Sequence, residues 1–217
     1  MNQPDFPQDP DELFDVVNAD GTPTGEVKRR ADVHRDGDWH RAVHVWIYGF
    51  DATGPFILFN WRSLQKDTMP GRLDVTVGGH LGAGESVSDA FREIEEEIGA
   101  GLDPDRFEFL FKRQAIGDTE REVQDVFLVR DDRDLVSYHP NPAELAGLVR
   151  LPLETARLIF SEVQPTGDGH VLHAQSGQVA PYRADDSNLL PPRYFPYYSA
   201  IVAAVGERVA AEPKPLV

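Results

Sequence analysis

Four acids in one helix-forming stretch, Asp89, Glu93, Glu96 and Glu97, are the residues best placed to do chemistry. Spaced by three and four positions, they share one side of a helix turning by about 100° per residue. Like charges at that spacing repel, by roughly a few tenths of a kcal/mol per pair. No lysine lies among them. A divalent cation relieves such crowding, and carboxylate oxygens suit Mg2+ or Mn2+. A solvated acidic face is the competing reading of the same charges. The residues just before the acids favour the first. Gly78 and Gly79 close a strand, and a loop with Gly82 and Gly84 leads to Glu85.

That chemistry needs a helix and a strand to position it. Ser86 with Asp89 three residues on resembles a capping box and predicts a helix start. Gly99 predicts its end near Ile98. Between them Val87, Ala90, Phe91, Ile94 and Ile98 form the stripe expected to pack inward. The strand Leu73–Val77 feeds the glycine loop. Further strands are expected at 13–17 and 25–30, around the turn 18–23, and at 42–50 and 56–61. More follow at 107–115, 123–129 and 145–150, and a short helix at 154–160. Residues 31–40 read as polar and irregular. A final helix is expected over 194–209, with Ala210–Val217 frayed. The order implies an α/β (α+β) fold, a mixed sheet between helices.

The glycine loop and helix together resemble the Nudix box, G-x5-E-x7-R-E-U-x-E-E-x-G-U with U aliphatic. Gly79 and Glu85 match its first part, and Arg92, Glu93, Ile94, Glu96, Glu97 and Gly99 its second. One departure stands out: six residues separate Glu85 from Arg92 where the pattern has seven. The shortening is expected near Ser86–Ser88, displacing Glu85 and leaving the Arg92–Gly99 half intact. The resemblance implies an α/β/α sandwich and a metal held by Glu93, Glu96 and Glu97. It gives Glu96 and Glu97 catalytic roles, with Glu122 as a general base or extra ligand. Gly79, Glu85 and Arg92 become structural parts of the box, with Arg92 pairing Glu85. Arg62 and Lys66 are the candidate cations for a diphosphate, since Arg suits bidentate phosphate contacts.

The stretches GTPTGEVKRR, VHRDGDWHRAVHVW, RSLQKDTMPGRLDVTVGGHLGAGE and EREVQDVF resemble one Nudix branch, the relatives of isopentenyl-diphosphate isomerase. The similarity spans roughly residues 13–155 and leaves 161–193 unmatched. It implies a second metal set at His34, His40, His80, Glu120 and Glu122, with Arg29 a weaker candidate for the diphosphate. His44 alternates within an apolar strand and reads as structural, the ordinary role of a lone histidine. The isomerase also needs a cysteine, at the position held here by Gly78, and this chain has none. The chain keeps the Arg92-Glu93 pair that the isomerase lacks. Both features favour hydrolysis of a diphosphate linkage over isomerisation. A non-catalytic, nucleotide-binding Nudix domain is the remaining alternative.

Composition sets the wider limits. With 217 residues, 41% hydrophobic and 27% charged, the chain can bury a core as one soluble domain. Residues 1–11 read as a tail, 12–160 as the Nudix domain, 161–193 as a hairpin insertion or lid, and 194–217 as a closing helix. No apolar run approaches a membrane span, and the acidic, proline-rich start is unlike a signal peptide. A cytoplasmic location and no membrane partner are therefore expected. The absence of cysteine removes thiol chemistry. A net charge of −16 argues against polymeric nucleic acid as a partner, but not against a small diphosphate-containing substrate. A homodimer is expected from the family resemblance.

Overall fold

The computed structural model describes residues 9–66, 68–117 and 120–211. Most of the expected tail and of the expected frayed end lie outside them. In chain order the elements begin with β1 (Leu13–Val17), β2 (Pro23–Arg29), α1 (Arg30–Asp36), β3 (Trp39–Asp51) and β4 (Gly54–Arg62). Next come β5 (Leu73–Asp74), β6 (Val77–His80), α2 (Val87–Ala90), α3 (Arg92–Ile98), β7 (Glu108–Ile116) and β8 (Arg121–Arg130). The chain closes with β9 (Leu145–Pro152), α4 (Leu153–Phe160), β10 (Gly167–His173), β11 (Val179–Ala184) and α5 (Phe195–Ala211). This is an α+β chain, and every strand register described is antiparallel.

Two compact units share these elements. The first comprises residues 1–45, 77–96 and 101–128. Here β1 pairs with β2 around a tight turn in which the Asp20 carboxylate accepts the Thr22 amide at 2.9 Å. The start of β3 pairs with β6, placing Ala42 opposite His80 and Val43 opposite Gly79. Strands β7 and β8 form a long hairpin. Phe14, Val16 and Val33 make a small core beneath β1 and α1. Helix α1 corrects the irregular reading of residues 31–40. Its seven residues carry one buried apolar side chain, Val33, and no side-chain cap, so periodicity had little to register. It forms directly where β2 ends and stops at Gly37, whose amide returns to the Val33 carbonyl.

The expected single helix is also corrected. It is two pieces, α2 and α3, with a turn at Phe91. The Phe91 amide reaches the Ser88 carbonyl at 3.3 Å, and the Ile94 amide reaches the Phe91 carbonyl at 3.2 Å. These three-residue steps are tighter than α-helical ones. They place the irregularity at Phe91 and not at Ser86–Ser88. The Phe91 ring packs on Phe107 and Phe127, at centroid distances of 4.4 and 5.2 Å, which anchors the turn.

The second unit comprises residues 46–76, 97–100 and 129–217. Strand β4 pairs with the end of β3, with β5 and with β9. The segment 161–193 takes the hairpin form: β10 pairs with β11 and adds them both to β9. Helices α4 and α5 bring Phe160 and Tyr198 to Phe59, with ring centroids 5.7 and 6.3 Å from it. Trp46, fully buried, donates its indole N–H to the Tyr197 hydroxyl at 2.9 Å. Each such aromatic burial contributes about 1.5–3 kcal/mol.

Candidate functional site

Strand β6 and helix α3 carry the box, and their contact in the first unit explains Gly79. A Cβ at residue 79 would stand 2.7 Å from Glu93 Cγ. Glycine therefore opens the space that the half-buried Glu93 side chain fills. Glu85 holds the loop. Its Oε2 accepts the Gly82 amide at 2.8 Å and its Oε1 accepts Arg92 Nη1 at 2.7 Å. The pair implied by the resemblance is thus present despite the missing residue, because the tight turn at Phe91 restores the reach of Arg92. Glu85 is not displaced from its partner. Arg92 also lies 4.0 Å from Glu93 Oε1 and 3.9 Å from Glu96 Oε1, so it tempers the crowding of like charges. On α3, Glu96 is exposed, while Glu97 is buried at 8% exposure.

A second group gathers in the same unit. His34 from α1, His40 from β3 and His80 from β6 bring one ligand atom each to within 4.8 Å of the others. Their rings stand 5.1–5.9 Å apart around Phe14, which stacks on His40 at 5.2 Å. Strand alternation gives His40 and His80 a common face, and turns Gly79 to the opposite one. Glu122 from β8 accepts from His80 Nε2 at 3.1 Å and from the Gln124 side chain. Arg30 donates to His80 Nδ1 at 3.2 Å and lies 3.6 Å from Glu12.

The donor chemistry fits a cation at two of the three rings. His40 Nδ1 donates to the Asp38 carbonyl at 3.3 Å, which leaves Nε2 as the lone-pair nitrogen. Nε2 of His40 and of His34 are both buried without a hydrogen-bond partner. Burial, and for His34 also the neighbouring Arg30 charge, pushes both rings down to about 4. At neutral pH they are uncharged, the form that ligates metal. His80 has both nitrogens engaged and joins only by giving up one contact. Burial pushes Glu122 up, but the His80 hydrogen bond and the charges of His80, His40 and His44 outweigh it and hold the carboxyl low. The His40 share acts only where that ring is protonated. Glu120 lies in the β7–β8 turn, where its carbonyl accepts the Gly117 amide at 2.8 Å, and is not in the gathered set.

Arg62 and Lys66 belong to the second unit, where both are engaged. Arg62 donates to the Thr68 carbonyl and hydroxyl at 3.0 Å each and to Asp74 at 3.1 Å. Lys66 pairs with Glu144. Arg29 is exposed and pairs with Asp11 at 3.3 Å. Its neighbour Arg30 is the one that turns inward beside the histidines, and neither Arg30 nor Phe14 stood out in the sequence. The available signal was the Arg29-Arg30 pair at a strand end, where alternation sends one of the two inside.

A family model described as a NUDIX domain matches residues 38–172. The chain belongs to this family. Nudix hydrolase 3 of Arabidopsis thaliana is 36% identical over 184 residues, which are 78% of this chain and 23% of the plant protein. Isopentenyl-diphosphate Delta-isomerase of Escherichia coli is 34% identical over 120 residues, 53% of this chain and 64% of that protein. The Nudix chain spans less than two thirds of either relative's length. Among solved structures, DR0079 from Deinococcus radiodurans aligns with a TM-score of 0.50 at 24% identity, over 70% of this chain and 88% of that one. That likeness places the Nudix chain by fold alone.

The histidines make a prediction of their own. Equilibrium dialysis of the metal-free Nudix protein against Zn2+ should find one tight equivalent per chain. Affinity should fall at least about tenfold in His34→Asn, judged by protein that keeps its circular dichroism. Unchanged Zn2+ binding would make the cluster simple packing around Phe14.

Proposed function

We propose that this Nudix protein hydrolyses a diphosphate linkage in a small substrate, a nucleoside-diphosphate derivative or a related compound, with Mg2+ or Mn2+. The observation that carries the reading is the pinned box: Glu85 clamped between Arg92 and the Gly82 amide, with Gly79 opened for Glu93. A loop held this way has a built geometry, which an ornamental acidic helix would not need. Glu93, Glu96 and Glu97 would hold the cation, their hard oxygens suiting it. When bound, a divalent cation supplies charge for the phosphate oxygens and lowers the pKa of a coordinated water.

The remaining roles fall to side chains. Arg92 keeps Glu85 and the loop backbone in place and so acts by positioning. Glu122, held low by His80, keeps its charge at neutral pH and is a poor proton acceptor there. It serves better as a ligand, or as the acceptor that orients His80, than as the general base. Arg62 and Lys66 remain candidates for the diphosphate, each exchanging a carboxylate partner for a phosphate. Localisation in the cytoplasm and a homodimeric state complete the proposal.

The test is a panel with Mg2+ and product identification: nucleoside-diphosphate derivatives, deoxynucleoside triphosphates and isoprenyl diphosphates. Phosphate-containing cleavage products are expected from at least one class. Isomerised isopentenyl diphosphate would replace the hydrolase reading with the isomerase one, despite glycine at position 78 and the lack of cysteine. Thermal stabilisation by a ligand without any product would replace it with a binding domain. Gly79→Ala provides a sharper check. Its methyl displaces Glu93, so the Mg2+ concentration for half-maximal rate should rise severalfold while the fold persists. An unaltered Mg2+ dependence would detach Glu93 from the cation.

A further inference from the structure

The second unit contains a cleft of about 440 Å3, within the size range of roughly 300–1,000 Å3 that takes small organic molecules. Ile159, Leu189, Leu190 and Phe195, with three prolines, form its apolar lining. Arg72, Glu162 and Asp186 contribute the charges. Asp186, residues 189–192 and Phe195 all lie beyond residue 172, where the family match ends. The cleft is therefore made mostly by sequence that the Nudix match does not reach.

Its wall is built before any ligand arrives. Arg72 Nη1 donates to the carbonyls of Asp186 and Leu189 at 2.6 and 2.7 Å. The Leu73 amide donates to the Asn188 carbonyl at 2.7 Å, and the Asn188 side chain donates to the Arg183 carbonyl at 2.9 Å. Asp185 closes the turn by accepting the Ser187 amide at 2.8 Å. On the opposite side Glu162 follows α4 with φ at 58°, a conformation uncommon for residues with a side chain. Its amide returns to the Ile159 carbonyl at 2.9 Å.

The charges are unequal in availability. The arginine is already spent on two carbonyl oxygens and acts as a strut. The exposed side chains of Glu162 and Asp186 have no hydrogen bond or ion pair among the described residues. The Arg72 guanidinium keeps its charge but its Nη1 is turned to carbonyls, so two exposed carboxylates against one cation leave the lining net negative and favourable to a ligand with a positive end. We propose that this cleft binds a small organic ammonium ion carrying an apolar or aromatic body. The site is independent of the hydrolase reading.

Calorimetry with phenethylammonium, 2-phenylethanol and phenylacetate tests it, since the three share a body and differ in charge. Phenethylammonium should bind tightest, about fivefold tighter than the alcohol, the scale of an exposed ion pair. Glu162→Gln should reduce that preference, and Glu162→Lys should turn it toward phenylacetate, both with circular dichroism and Tm unchanged. Ile159→Trp should fill the cleft and remove binding of all three. If that variant does not fold, the two Glu162 variants decide alone. Phenylacetate binding as tight as phenethylammonium, no saturable binding at millimolar concentration, or insensitivity to both Glu162 changes would overturn the assignment.

Discussion

Glu96→Gln and Glu97→Gln, each made alone, are expected to lower kcat by roughly 10²–10³-fold, the scale on which a group stabilising transition-state charge is lost. Glutamine keeps the size and one carbonyl oxygen of the original side chain but removes its charge, so a change in turnover reports charge and not shape. The two positions separate activity from stability. Glu96 lies in the open, its side chain 61% exposed, and its substitution should leave stability within about 0.5 kcal/mol. Glu97 is buried at 8% exposure, so its thermal midpoint must be followed alongside turnover. Glu95, on the same helix but outside the box acids, is the control: Glu95→Gln should retain wild-type turnover. Loss confined to the box positions would support their roles as ligands. Wild-type turnover in both box variants would end that assignment.

The largest effect on stability is expected at the other end of the same helix. Gly99 ends α3 with φ at 62°, in the left-handed region. A Cβ there would sit 2.7 Å from the His139 Cβ and 3.2 Å from the His139 carbonyl oxygen. The crowding arises because the returning chain caps the helix: the His139 amide donates to the Ile98 carbonyl and the Asn141 amide to the Glu97 carbonyl, at 2.8 Å each. Gly99→Ala meets two penalties, the left-handed backbone at about 1–2 kcal/mol and steric overlap at about 1–3 kcal/mol. Relief by moving residue 139 would break the capping bonds. A loss of roughly 2–5 kcal/mol in denaturant unfolding is expected, with a clear fall in Tm. A change below about 0.5 kcal/mol would show that the junction relaxes freely.

Much of the fold was legible because it follows from local pattern. Strands β1, β4, β8 and β9 fall within a few residues of where alternation and turn signals placed them. Helix α4 and the closing helix α5 do likewise. The strand expected to feed the glycine loop is two, β5 and β6, because Val75 and Thr76 leave the ladder. Thr76 instead accepts the Ile47 amide at 3.0 Å through its hydroxyl. Helix α1 leaves no trace in the sequence because it lacks an apolar stripe. The break at Phe91 is invisible in the sequence because the stripe itself continues through it: Ala90, Ile94 and Ile98 are all buried, as a single helix would have them. Only the tightened hydrogen bonds reveal the break.

The sequence by itself determined the α+β class, the glycine loop, the acids at 93, 96 and 97, and the helix stop at Gly99. Those features live within a few residues of one another, where covalent geometry and helical spacing decide which side chains meet. The family resemblance already groups His34, His40, His80 and Glu122, but only tertiary structure brings them into contact and leaves Glu120 out, since the four come from four different elements. Ala42 must pair with His80 for that to happen, and a slip of one residue would turn the histidine to the other face. Tertiary structure also decided that Arg30 and not Arg29 turns inward, that Arg62 and Lys66 are committed to carboxylates, and that Glu85 still reaches Arg92 across a shortened box. Spacing shows which charges exist; which of them are already paired depends on partners brought from distant parts of the chain.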